Sequence, residues 1–131
     1  LPETDALALD AFLKSMEPVP SPYLEQGKLS ASAERGKEVF VKAKCSECHT
    51  GPYYTDLQLH DVGTGEGYEY GTAFDVPSLN EVWRTAPYLY DGRAETIRDV
   101  VIRENPDDRH GQIKDLTEGE VNDLITYVLS L

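Results

Sequence analysis

Cys45, Cys48 and His49 sit together in the stretch KCSECHT, and these two cysteines are the only ones among 131 residues. Two thiols at this spacing with an imidazole directly behind the second serve three chemistries: a redox dithiol, half of a zinc site, or the covalent attachment of a c-type haem. A redox CxxC opens a helix within an alternating strand and helix pattern. This motif follows a helical stretch, and no such alternation surrounds it. Closed structural zinc takes four ligands, and beyond the motif only His60 and His110 remain, far apart in sequence. Haem attachment asks for nothing more than is present: two thiols to form thioethers with the vinyl groups, and an imidazole to bind iron. The spacing therefore favours one covalent haem c on Cys45 and Cys48, with His49 as axial ligand. Both thiols are then consumed, and no disulfide forms.

These residues need elements to hold them. Residues 6–16, ALALDAFLKSM, place Leu9, Phe12, Leu13 and Met16 at helical spacing, with Thr4 or Asp5 as the expected cap and Met16 as core of that helix. Pro18, Pro20 and Pro22 end it and make 18–29 a stiff linker. One helix cannot bury its apolar stripe alone, so it either folds back on the main domain or closes a preceding one. A second helix starts at Ser30 or Ser32, runs to about residue 43 and delivers the cysteine motif. Ala33, Gly36 and Phe40 share one of its faces, and a glycine there implies close approach by another backbone. Thr117 and Glu120 have capping-box spacing, followed by the stripe Val121, Leu124, Ile125 and Val128 with Tyr127 beside it. This last helix, 118–130, is the expected partner across Gly36.

Short helices are expected near 78–84 and 96–104, and 50–76 should be mostly loop. Gly63, Gly65, Gly67 and Gly71 lie in that loop, but no Lys-Ser or Lys-Thr follows them, which argues against a phosphate-binding turn. The expected architecture is all-α: a helix over 1–17, a linker over 18–29, and a haem domain over 30–131. A buried porphyrin would give Phe40, Tyr53, Tyr54, Phe74, Trp83, Tyr88 and Tyr90 a surface to line, although several of them serve equally well as ordinary core.

Charge narrows the partners. Against 12 basic residues stand 24 acidic ones, a formal charge of −12. Such a surface repels phosphate backbones and anionic lipid, so nucleic acid is not an expected partner, whereas a basic protein or a neutral small molecule fits. No apolar run approaches the roughly 20 residues of a membrane span. The absence of an initiating methionine and of a basic-then-apolar leader makes residue 1 an expected processing boundary.

The order ERGKEVFVKAKCSECHTGPYYTD, LHDVGTG, FDVPSLNEVWRTAPYLYDGRAETIRDVV and LTEGEVNDLITYVLSL resembles the C-terminal haem domain of the bacterial di-haem cytochrome c peroxidases and their methylamine-utilisation relatives. The resemblance spans most of 30–131 and implies a cytochrome c-like fold, a periplasmic or otherwise extracytoplasmic location, and an electron-transfer role as the C-terminal module of a larger redox protein. Its partner would be an adjacent haem domain or a redox protein. In the peroxidases a calcium ion is held partly near FDVPS, but without the other domain that site would be incomplete, so calcium is not expected.

Two departures stand out. The family's enzymes carry two haems, and this chain has one CxxCH. The family also places a methionine, or in the methylamine relatives a tyrosine, shortly after the TIRDVV helix as second axial ligand, where this chain reads IRENPDDRHGQ. His110 lies in that region and is the expected second iron ligand beside His49. His60 is expected to hydrogen-bond near the haem edge, and Tyr88 and Tyr90 are weaker ligand candidates. The alternative function is a peroxidase-like site with open iron acting on hydrogen peroxide, for which Glu104 is an acid candidate.

Overall fold

The computed structural model describes residues 2–131. Three α-helices carry the fold: α1 (Glu3–Lys14), α2 (Ala31–Lys42) and α3 (Glu118–Leu129). Between α2 and α3 the chain makes single helical turns and one two-stranded antiparallel ribbon, β1 (Leu59–His60) with β2 (Phe74–Asp75), in which Leu59 faces Asp75 and His60 faces Phe74.

The crossing of α2 and α3 makes the core. Ser30 caps α2 by accepting from the Ala33 amide at 3.1 Å, and Ala33, Gly36, Val39 and Phe40 are its buried face. The capping box at the start of α3 is present in full: the Thr117 hydroxyl accepts from the Glu120 amide, and the Glu120 carboxylate accepts from the Thr117 amide. Gly36 is where the helices touch. A Cβ built on it would lie 1.9 Å from the Asp123 carbonyl oxygen and 2.8 Å from the Tyr127 Cβ. The close backbone approach expected from the sequence is therefore real. The seam is then tied by side chains, with Arg35 gripping the Asp123 carboxylate through two bonds of 2.6 and 2.7 Å and Lys42 reaching Glu120.

Several expected elements differ. The predicted caps Thr4 and Asp5 lie inside α1, which begins after Pro2 and has no side-chain cap; proline is pre-set for a helix start, and Glu3 and Asp5 face the positive end of the helix dipole. None of the residues of α1 is buried, and Met16, expected in its core, is 62% exposed. The reason is that α1 packs against no other element, so its stripe has nothing to cover it among the described residues. Only Val82–Arg84 of the helix expected over 78–84 forms, as one 3-10 turn. Ser78 and Asn80 instead bond the Tyr53 and Pro52 carbonyls, drawing that backbone onto the preceding loop. Near 96–104 a short turn widens to π geometry over Asp99–Arg103.

The linker is stitched to the far end of the chain. The buried Ser21 hydroxyl donates to the Leu129 carbonyl at 2.5 Å, and the Val19 amide donates to the Glu81 carboxylate.

Two outcomes follow for this framework. In an isolated helix Gly36→Ala would gain about 1 kcal/mol; at this crossing the added methyl must push two backbones apart, and overpacking of that kind costs about 1–3 kcal/mol. The second effect wins, so the thermal midpoint falls; a raised midpoint would mean that the helices do not meet at Gly36. The second outcome concerns acid. The bond from Lys42, then those from Thr117, hold the Glu120 carboxyl down at about 2, below its ordinary 4.5. A depressed carboxyl contributes stability above 4.5 and loses it as pH falls through 2. Glu120→Gln should therefore be less stable than the parent at neutral pH, and the gap should close between pH 4.5 and 2 in melts run across that range.

Candidate functional site

Helix α2 stops at Lys44, which takes the left-handed conformation at φ 63°. The chain then turns through Cys45–Glu47, and the His49 amide bonds the Cys45 carbonyl at 2.9 Å. This turn puts both thiols and the His49 ring on one side of the end of α2. Burial pushes the Cys45 thiol up to about 11 and, with the charge of Asp56, raises Cys48 as well. A redox or metal-binding cysteine wants its thiolate favoured, so these environments suit neither use.

His49 is fixed from behind. Its Nδ1 lies 3.0 Å from the Tyr54 carbonyl, and since a carbonyl only accepts, Nδ1 carries the proton and Nε2 keeps its lone pair for a metal. Tyr54 is itself anchored in the core. Its hydroxyl pairs with that of Tyr127 on α3 at 3.2 Å, and Phe40 meets both rings edge-on, at 6.3 Å from Tyr54 and 5.4 Å from Tyr127. The helix crossing thus reaches the imidazole through one tyrosine.

His110 arrives from the loop before α3, and the structure brings it to His49. The two ring centres are 6.3 Å apart with 33° between the planes. That is too far for stacking. A metal–imidazole bond of about 2.0–2.1 Å with roughly 1.1 Å from ring nitrogen to ring centre puts two opposed ligands about 6.3 Å apart. Burial, with a smaller contribution from His49, pushes His110 down to about 4; burial also lowers His49, partly offset by its bond to the Tyr54 carbonyl. Both rings are therefore neutral near pH 7, the form that binds metal. The His110 Nδ1 is shut off from solvent with no hydrogen-bond partner. Two neutral imidazoles at this separation, beside two cysteines in CxxCH order, fit a covalent haem.

The other candidates are employed elsewhere. His60 Nε2 bonds Asp56 at 2.8 Å. The fold brings this pair close to Cys48, with the three ligand atoms within 4.8 Å of one another. That cluster lacks the fourth donor of a closed zinc site. The Tyr88 hydroxyl donates to the Val82 carbonyl at 3.0 Å, and burial raises its pKa, which disfavours a phenolate. The Tyr90 ring stacks on Phe74 at 4.6 Å. Tyr53 is exposed, and Phe40 belongs to the helix crossing. Trp83 Nε1 is buried without a partner. Sequence reasoning missed Asn105 and the Tyr54 carbonyl. The Asn-Pro pair at 105–106 is a turn signal, but a backbone oxygen leaves no trace in residue type.

A cytochrome c family model matches residues 33–131. The chain belongs to the cytochrome c family. Over 95% of its length this cytochrome is 28% identical to the hydrazine synthase subunit gamma of Kuenenia stuttgartiensis, covering 48% of that subunit. It is 30% identical to the methylamine utilization protein MauG of Methylophilus methylotrophus, over 82% of this chain and 38% of that protein. A solved structure of Kuenenia stuttgartiensis hydrazine synthase superimposes with a TM-score of 0.81 at 27% identity, covering 95% of this chain and 54% of that one. The chain spans about half or less of the relatives it matches, and it fits a C-terminal haem module of the di-haem peroxidase family. No helix among the described residues is long and apolar enough to cross a membrane.

The Tyr54–Tyr127 bond gives this subsection its test. Tyr127→Phe keeps the ring packing and leaves the Tyr54 hydroxyl without its partner, which should lower stability by about 1 kcal/mol. Thermal denaturation of the haem-bearing protein reads this directly, and an unchanged midpoint would remove the bond from the account.

Proposed function

We propose that this cytochrome is an electron-transfer module in which Cys45 and Cys48 hold one haem c and His49 and His110 ligate its iron. The observation that carries the reading is the 6.3 Å spacing of the His49 and His110 rings, both neutral near pH 7. When bound, the haem supplies a one-electron Fe(III)/Fe(II) couple. The chain's own residues do the rest. The Tyr54 carbonyl keeps His49 in the Nδ1–H form, and the His110 loop fills the position that a substrate would otherwise take. With His49 and His110 both holding the group, the site would support electron exchange and leave no place for a substrate to bind.

The peroxide-activating alternative needs a free iron position and an acid that can deliver a proton. Glu104, the acid that the sequence offers, accepts 2.7 Å bonds from both Arg103 and Arg93. These pairs, Arg103 first, hold its carboxyl below the usual carboxylate range. An ionised Glu104 has no proton to give near pH 7.

The surroundings follow from the same reading. The uncovered apolar face of α1, with Leu7, Phe12 and Leu13 all more than 60% exposed, fits packing against an adjacent haem domain of a larger redox protein. Covalent haem attachment places the module outside the bacterial cytoplasm, and its −12 charge suits a basic redox partner.

The experiment is a spectroscopic one on the purified oxidised protein. Its mass should exceed the polypeptide by one haem, its electron paramagnetic resonance should be low-spin, and the near-infrared band of methionine ligation should be absent. Reaction with peroxide should be slow, and the potential should lie below that of a His/Met cytochrome of similar burial. His110→Ala should become high-spin and bind cyanide faster while keeping its covalent haem. A high-spin parent would favour the peroxidase reading; an unchanged His110→Ala spectrum would dismiss His110 as ligand.

A further inference from the structure

Asn105 is 5% exposed, and nothing in the ligand set explains why a polar side chain is buried there. Its amide is spent on the backbone of the His110 loop. The Oδ1 accepts from the His110 amide at 2.8 Å, and Nδ2 donates to the carbonyls of His110 at 3.1 Å and Gly111 at 2.9 Å. One side chain therefore holds both backbone polar groups of a single residue, and that residue is His110. The loop is tied to the motif as well. The Gln112 amide donates to the Ala43 carbonyl at 2.9 Å, and Gly111, at φ +87°, passes so near that a Cβ on it would lie 3.4 Å from the Ala43 oxygen and from the Cys45 sulfur. Other bonds in the loop do different work: Asp108 accepts from the Ile113 and Lys114 amides, beyond the histidine.

We infer that Asn105 is a positioning residue whose side-chain amide latches the His110 backbone and so holds its ring near His49, where it would set how long His110 stays on the iron. The inference rests on the ligand set proposed above. Without the latch, His110 would keep its ring but lose the backbone clamp that aims it, and exogenous ligands would compete for the vacated position. Only an amide offers an acceptor and two donors on one planar group, so a carboxylate of the same shape would face two carbonyl oxygens with no proton for them.

The test compares Asn105→Ala, Asn105→Asp, Asp108→Ala and His110→Ala in the full haem-bearing chain. Haem attachment and thermal midpoint are measured beside spin state and the rate of cyanide binding. Loss of these buried hydrogen bonds should speed cyanide binding by about tenfold in Asn105→Ala and introduce a high-spin fraction. Asp108→Ala should lower the midpoint and leave both readouts at the parent value. Should Asn105→Ala fail to accumulate with haem, Asn105→Asp is read in the same way. If His110→Ala opens the iron but both Asn105 variants only melt earlier, with parental spin state and cyanide rate, Asn105 is structural and the latch is wrong. If Asp108→Ala speeds cyanide binding as much as the Asn105 variants do, general loop loosening is the cause and the latch is equally wrong. If His110→Ala itself matches the parent, the ligand set fails and the latch falls with it.

Discussion

The contact of the Gly36 face with the Asp123 carbonyl is the constraint on which the haem-binding region depends. Because the two backbones touch there, Phe40 and Tyr127 are brought edge to face one turn further on. Tyr127 then offers its hydroxyl to Tyr54, and the Tyr54 carbonyl fixes the tautomer of His49. Moving the helices apart by a fraction of an ångström would be felt at the imidazole, because each link is a packed ring or a directional hydrogen bond and none is a flexible chain.

The last turn of α2 also serves both histidines. It ends in Lys44 and the motif that carries His49, while its Ala43 carbonyl receives the amide of Gln112 beside His110. The two imidazoles are thus measured from one reference.

Much of this was legible in the chain. The Thr117–Glu120 box, the cost of a mid-helix Gly36 and the CxxCH motif each have a local physical meaning that no distant residue can alter. His110 was legible as a donor type in the right region, yet its loop is held by bonds to main-chain atoms, from the Asn105 side chain to the His110 backbone and from the Gln112 amide to the Ala43 carbonyl, which residue type does not announce. The misplaced elements share a cause. Residues 78–84 have helical apolar spacing, but Ser78 and Asn80 found better carbonyl partners across the loop. Met16 has the spacing of a core residue, yet spacing identifies a face and says nothing of whether a surface exists to meet it.

The stitch between Ser21 and the Leu129 carbonyl has a topological consequence. Residue 21, on the way into the helical unit, adjoins residue 129 at the end of α3, so the unit is closed across a narrow neck. A body built this way can be hung on a host scaffold without stretching the host, because both attachment points already adjoin. The same neck joins the two flanks mechanically: tension applied at residue 21 is shared at once with the last turn of α3, while the loops around the motif lie off the line of force.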